Sequence, residues 1–181
     1  MEVAFKMKKG IGVFVAVFIL FLFISTHSLA KSSYVLPYPS YMPGSALYKP
    51  RLLMEKLSEY WHFGNFSRFS YNLKQSDRYL VEAKTLFEYN QYLLGYDALK
   101  KSDRYFKKTL PNLEDAGDEG KDISQNRKTL SLAAEKHIEL LAKIKEVVPE
   151  KFNWQPEKSA STLLDLKSSI ESSVSTRMEY L

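Results

Sequence analysis

The sequence predicts an all-α protein made of an N-terminal signal or anchor helix, a Pro/Tyr-rich extended arm and an antiparallel bundle of four to five helices. Three observations carry this prediction. Residues 11–24 form an uninterrupted apolar run behind a basic start, four prolines follow between positions 37 and 50, and the remainder repeats apolar residues at helical spacing without sustained period-two alternation. We divide the 181 residues into segments 1–30, 31–49 and 50–181.

Composition excludes several protein classes. Hydrophobic residues make up 45% of the chain, Gly and Pro contribute seven residues each, and Cys is absent. The chain is therefore neither disordered, collagen-like nor stapled by disulfides, and with only three His we expect no metal and no cofactor. The net charge of +5 falls to +3 without residues 1–30, which hold three Lys and one Glu, so nucleic acid is not an expected partner.

Residues 1–30 have the layout of a secretory signal peptide. Three lysines precede the apolar run 11–24, and small or polar residues follow as far as Ala30. The run measures roughly 21 Å as a helix, short of a hydrocarbon core of about 30 Å, whereas the uncharged stretch 10–30 would reach across. The pattern favours cleavage after Ala30 over a retained anchor. In either case the rest of the chain is exported to the outer face of the membrane, the periplasm or the medium.

The arm and the first helix come next. The prolines keep residues 31–49 extended, and the last of them suits the first turn of a helix, where a missing N–H costs nothing. Leu53, Leu57 and Trp61 then recur at four-residue spacing and form one apolar stripe. A first helix is predicted from residue 46 or 48 to Trp61.

Two long amphipathic helices follow, from Phe66 to about Asn90 and from Tyr92 to about Asp115. They share an internal repeat, since the letters LKQSDRY at 73–79 return as LKKSDRY at 99–105. The offset of 26 residues is close to one helix plus a turn. The repeat therefore predicts a duplicated unit folded into an antiparallel pair.

Two more helices complete the predicted bundle. An apolar face runs from Ile123 to Val148, after a Gly-rich turn in which Asp118 or Asp122 can cap the helix. Residues 151–156 are predicted to be a connection whose two aromatic residues close one end of the bundle. The last helix begins near Ser159 or Ser161 and is rich in serine, which weakens helix propensity.

Residues 34–109 resemble a known family. The letters LPYP at 36–39 and PGSALY at 43–48 are similar to the arm of an uncharacterised bacterial extracytoplasmic helical domain, a domain-of-unknown-function family. Its members continue with a helix pair carrying an Arg-x-x-x-Glu-Ala pattern, which this chain matches at Arg78, Glu82, Ala83 and Leu86. Where members have Asp-Pro in the first turn, this chain has Gly64 and Asn65. The resemblance implies export and a helical fold, and it assigns no catalytic residue.

No catalytic motif occurs in the chain. Gly-rich phosphate loops, nucleophile elbows and His-Glu-x-x-His are all missing, so we expect a protein that is not an enzyme. His137 lies on an apolar face, but Ala and Leu occupy the positions three and four residues away, which favours a core histidine over a metal ligand. His62 stands at a helix end, where a capping role is common.

Two groups of residues are candidates for an interaction surface. Basic residues line one sector of the third helix, and tyrosines are frequent in the arm; the candidates are Lys100, Lys101, Arg104, Lys107 and Lys108 with Tyr38, Tyr41 and Tyr48. They can bind phosphate-rich or carboxylate-rich envelope polymers, anionic lipid head groups or a protein. The plain alternative is a solvated helix face and an arm packed on the bundle.

These observations predict an exported or membrane-anchored, non-enzymatic helical domain that binds a protein or a cell-envelope component. Its membrane contact would be the N-terminal segment, if that segment is retained. The alternative is a periplasmic-sensor-like bundle that binds a metal or small ligand, with His137 or His62 joined by acidic residues. An enzyme acting on wall polymers is a more remote third hypothesis.

Overall fold

The computed structural model describes residues 32–39, 41–158 and 160–181. The predicted leader and its cleavage site after Ala30 lie outside these residues, as does Ser159. The described part is mostly helical, as predicted. Its elements in chain order are α1 (Tyr48–Trp61), α2 (Asn65–Glu88), α3 (Tyr92–Lys107), α4 (Thr109–Asp118), α5 (Ser124–Val147), β1 (Lys151–Trp154), β2 (Thr162–Asp165) and α6 (Leu166–Met178).

The arm packs on the bundle before α1 begins. Residues 32–39 form neither helix nor strand. The Ser32 hydroxyl donates to the carbonyl of Leu132 at 2.7 Å, and the Tyr34 hydroxyl donates to Asp77 at 2.7 Å. Leu36 packs against the hydrophobic core. Side chains of the arm therefore cover part of the bundle surface, as a further helix would.

The predicted helix pair is formed by α2 and α3. Asn90 closes the turn between them in the left-handed conformation, with φ of 58°, a common way for a helix to end. Gly95 lies against the ring of Phe87, where no side chain would fit. Ser76 and Ser102, which are equivalent in the repeat, each donate to the backbone carbonyl of the other at 3.0 and 2.9 Å. The repeat is thus an antiparallel pair whose copies meet at corresponding residues.

The helix predicted from Tyr92 to Asp115 is divided in two at Lys108. Pro111 lacks the N–H that would continue the hydrogen-bond ladder to Lys107, so α3 ends at Lys107 and α4 begins at Thr109. The Thr109 hydroxyl donates to the carbonyl of Phe106 at 2.6 Å and satisfies one of the acceptors left at the break.

A short β-hairpin replaces the predicted connection 151–156. Strands β1 and β2 pair antiparallel, with Phe152 opposite Leu164. Phe152 packs against the core and lies 4.8 Å from the ring of Tyr92. The sequence did not predict the hairpin because four residues are too few for a period-two pattern to emerge. Helix α6 consequently starts at Leu166, where the Asp165 carboxylate accepts from the Ser168 N–H at 3.1 Å.

The core consists of two apolar clusters with polar residues between them. On α2, Phe69 and Leu73 belong to one cluster and Leu80 and Phe87 to the other. The residues that lie between the clusters form what we call the polar layer: Ser76, Asp77, Ser102, His137 and Arg177, all buried, with Asp103 at its edge. Four helices, α2, α3, α5 and α6, contribute to this layer.

The α2–α3 contact yields a stability prediction. An added Cβ at Gly95 would lie 2.8 Å from two ring atoms of the buried Phe87, so Gly95→Ala should lower the free energy of unfolding by about 1–3 kcal/mol. Gly117→Ala on α4 is the matched control, because its Cβ meets only the flexible end of Ile123 at 3.3 Å. There alanine should stabilise by up to about 1 kcal/mol through helix propensity. Denaturant unfolding of both variants measures the difference, and equal effects would contradict the proposed close packing.

Candidate functional site

Helix α1 turns its apolar side away from the bundle. The predicted stripe does not enter the core, since Leu53, Leu57 and Trp61 are 60%, 42% and 65% exposed. Met54 and Tyr60 are exposed beside them. These five residues fall within about one third of the helix circumference at 100° per residue and are called here the apolar face of α1. A helix of this composition would ordinarily bury such a face.

The side of α1 that meets the bundle is polar. Glu55 is the residue of α1 that is buried, and its carboxylate accepts hydrogen bonds from the hydroxyls of Tyr79 at 2.7 Å and Tyr105 at 2.8 Å. The Tyr71 hydroxyl donates to the backbone carbonyl of Glu55 at 2.9 Å. Tyr79 and Tyr105 are repeat equivalents whose rings stack 5.8 Å apart and nearly parallel. Burial and the neighbouring carboxylate raise the pKa of both tyrosines, so they remain donors at neutral pH.

A second carboxylate ties the start of α1 to α2. Arg51 forms a largely buried ion pair with Glu82 at 2.7 Å, and the Tyr48 hydroxyl donates to the same carboxylate at 2.9 Å. Burial, and then the charge of Glu82, raises the pKa of Tyr48 to about 12. Because Tyr48, Arg51 and Glu55 share one side of α1, these contacts orient the apolar face outward.

The predicted basic residues surround tyrosines rather than forming an isolated stripe. Lys100, Arg104, Lys107 and Lys108 are exposed, and Lys101 is half-buried. The Lys100 ammonium lies 4.2 Å from the ring centre of Tyr96, and the Lys101 ammonium lies 5.2 Å from that of Tyr79. Lys108 pairs with Glu59 of α1 at 3.4 Å. The basic sector of α3 therefore borders α1.

The three predicted arm tyrosines have different environments. Tyr38 is 95% exposed and Tyr41 is also exposed, whereas Tyr48 is half-buried and bound to Glu82. Tyr34, which was not among the candidates, is the arm tyrosine that anchors to the polar layer. Only Tyr38 and Tyr41 are thus open to a partner.

The polar layer is organised around Arg177, whose side chain is fully buried. Its guanidinium donates to Asp103 at 2.6 Å, to the Ser102 hydroxyl at 2.9 Å and to the carbonyl of Ser173 at 2.9 Å. Its Nε donates to Nδ1 of His137 at 3.0 Å. Each of the three guanidinium nitrogens therefore has an acceptor within the fold, which compensates for burying the charge.

His137 completes the layer as a core residue, as predicted. Its Nδ1 accepts from Arg177, so the ring proton sits on Nε2, which donates to Asp77 at 2.7 Å. Burial lowers the pKa of His137, and the positive charge of Arg177 adds to the effect against the opposing influence of Asp77. Both ring nitrogens are engaged, so a metal could bind here only after displacing a partner.

Sequence reasoning did not identify Glu55, Arg177, Asp77 or Asp103 as interacting residues. The repeat contained a usable signal, because Ser-Asp-Arg-Tyr occurs in both copies, but a repeat does not reveal which third element its polar residues meet. The spacing of Ile170, Val174 and Arg177 also places an arginine on an apolar face, a second usable signal.

Comparison of the chain with protein-family models, curated proteins and solved structures found no match. Within the described residues, no group of three or more His, Cys, Asp and Glu side chains is arranged to hold a metal ion. The helices of that same part of the chain all lack the length or the apolar character needed to cross a membrane.

The lowered pKa of His137 predicts that the stability of the fold depends on pH. Because its pKa is lowered in the folded state, the unfolded chain binds more protons just below pH 6.5, and stability should fall as the pH drops from 7.5 to 5.5. The loss should not exceed about 1.4 kcal/mol per pH unit for this one group. Denaturant unfolding across this range tests it. His137→Gln should flatten the slope, whereas His62→Gln should retain it; equal slopes in both variants would contradict the assignment.

The Glu55 contacts predict local release of α1. Glu55→Ala leaves the Tyr79 and Tyr105 hydroxyls without their acceptor, a cost of about 1–3 kcal/mol per buried group, so amide hydrogen exchange across residues 48–61 should quicken by about tenfold or more. Exchange in α2 and α5 should change little. Glu59→Ala is the control, since it removes only an exposed ion pair with Lys108. Matching exchange in the two variants would show that Glu55 does not hold the helix.

Proposed function

We propose that this chain is an exported, non-enzymatic helical domain, anchored by its N-terminal segment or released by cleavage, that binds the anionic lipid surface of the cell envelope through α1. The exposed apolar face of α1 is the observation that carries this proposal. The resemblance of residues 34–109 to an extracytoplasmic helical family is consistent with it. The absence of catalytic motifs from the sequence supports a binding role.

The chemistry of the apolar face favours a lipid surface. Trp61 and Tyr60 lie beside Leu53 and Leu57, and Phe63, two residues after the end of the helix, is also exposed. Aromatic residues with a polar edge next to aliphatic ones are typical of helices that lie in the interface of a bilayer. Single exposed apolar side chains are normal on a protein surface, whereas several grouped on one helix indicate an interaction site.

Charge around α1 points to an anionic surface. Lys49 and Lys56 of α1 line one groove of about 520 Å³ together with Lys101 and Arg104 of α3, and the carboxylates of Glu55 and Glu59 in the same groove leave cations in excess. This groove continues to Leu53 of the apolar face, so cations and apolar side chains adjoin. Basic residues near a bilayer that contains anionic lipids each contribute on the order of 1 kcal/mol to binding.

The arm adds two exposed aromatic residues, Tyr38 and Tyr41. A leader retained in the membrane would hold the domain near the bilayer. Exposed aromatic residues together with cations favour a lipid surface over a protein partner.

The two tryptophans allow a direct test. In the full-length chain with Trp154→Phe, bound to phosphatidylglycerol vesicles that contain brominated lipid, Trp61 should lose most of its emission, because α1 lies among the acyl chains. The matched chain with Trp61→Phe keeps Trp154, which is half-buried on β1, and should stay largely unquenched.

A charge on the apolar face sharpens this test. Leu57→Glu in the Trp154→Phe background should abolish the quenching of Trp61, while Leu163→Glu, at a more exposed site on the hairpin, should not. If Trp61 is quenched no more than Trp154, the lipid proposal is wrong. A protein that cross-links specifically at position 57 would then be the better explanation of the face.

A further inference from the structure

A cavity of about 460 Å³ lies where the end of α1, the start of α2 and the α3–α4 junction meet. Its wall includes Arg68 and Asn72, one turn apart on α2, and Lys107 and Lys108 from the end of α3. It also includes His62, which follows α1. The cavity is of a size typical for small-ligand sites, and its wall holds three cations, Arg68, Lys107 and Lys108, and one carboxylate, Glu59.

Asn72 is the most informative residue of this cavity. It is only 6% exposed, yet its side-chain amide has no hydrogen-bond partner among the described residues. Among the described residues, the side-chain polar atom that is both fully enclosed and unpaired is Nε of Arg51, so the Asn72 amide retains access to water. Asn72 lines the cavity, where a bound group would replace that water.

The cations of the cavity are also incompletely paired. Arg68 and Lys107 are exposed and form no ion pair with any residue in the described ranges, whereas Lys108 meets Glu59 at 3.4 Å. The excess charge of the site is therefore close to +2. The Tyr71 hydroxyl of the same wall is already used by the carbonyl of Glu55, and the Asn112 amide by that of Lys108.

His62 contributes a further polar atom, Nε2, that has no partner within the described residues. Its Nδ1 contacts the carbonyl of Ser58 at 2.6 Å, and its ring packs 4.5 Å from that of Tyr71. The Ser58 carbonyl is an acceptor, so Nδ1 carries the proton and Nε2 is left without a partner in the described part of the chain. The ring is held in place by these contacts, and His62 forms part of the cavity wall.

We propose that this cavity binds a phosphate monoester. Its group carries close to two negative charges at neutral pH, which matches the unpaired Arg68 and Lys107. The planar guanidinium suits two phosphate oxygens, and the Asn72 amide donates to a third. The monoester can belong to a soluble metabolite or to a lipid head group. The site is separate from the apolar face of α1.

Calorimetric titration of the full-length chain in nonionic detergent with sn-glycerol 3-phosphate tests the site. Saturable binding is expected, and Arg68→Ala and Asn72→Leu should each weaken it about tenfold or more. Lys74→Ala removes an exposed cation of α2 outside the cavity and should change affinity less than twofold. Asn72→Leu should not lower the melting temperature of the ligand-free protein, because the amide it removes is unpaired.

A second experiment identifies the source of the phosphate. Nanodiscs with phosphatidic acid present a monoester, and those with phosphatidylglycerol present a diester. Preference for phosphatidic acid that is lost in Arg68→Ala would assign the site to a lipid, whereas binding of glycerol 3-phosphate alone would assign it to a soluble ligand. No saturable binding of either monoester, or equal affinities of Arg68→Ala, Asn72→Leu and Lys74→Ala, would overturn the proposal. Leu57→Glu should leave glycerol 3-phosphate binding intact. A failure of lipid docking by α1 can therefore be told apart from a failure of the phosphate site.

Discussion

Burial of the Arg177 charge is the constraint on which the arrangement of the helices depends. A guanidinium removed from water needs acceptors for its nitrogens, and here all three nitrogens find them on α3, α5 and α6 itself. His137 links that charge to Asp77 on α2, and Asp77 in turn receives the hydroxyl of Tyr34 from the arm. A slip of any one helix by a turn would leave a charged group unpaired, so the polar layer specifies the register that the two apolar clusters alone would leave less defined.

The internal repeat explains how one short motif serves two networks. On one side of the pair, Ser102 and the two equivalent aspartates face the polar layer. On the other, Tyr79 and Tyr105 converge on Glu55. Helix α1 is therefore attached through hydrogen bonds to a carboxylate rather than through apolar packing. This attachment leaves its leucines and Trp61 available, which links the duplication to the surface that we propose as the functional one.

Periodicity was sufficient to predict the helices and the antiparallel pair, and α1 was predicted from residue 46 or 48 to Trp61. The break at Lys108 was not predicted, although Pro111 was its visible cause, because apolar spacing continues through it. The hairpin escaped prediction because its strands have four residues each. The outward orientation of α1 could not follow from its own pattern, since it depends on tyrosines 16 to 50 residues away. Asn72 likewise gains meaning only once the absence of a partner among the described residues is known.

The position of Arg177 on the last helix has a consequence for the order of assembly. Until α6 docks, Asp77, Asp103 and His137 surround a gap that lacks its cation, and the two apolar clusters stay separated by unpaired polar groups. Segments that fold before α6 docks therefore cannot complete the polar layer. The two apolar clusters become joined across it only when the Arg177 guanidinium supplies the missing charge.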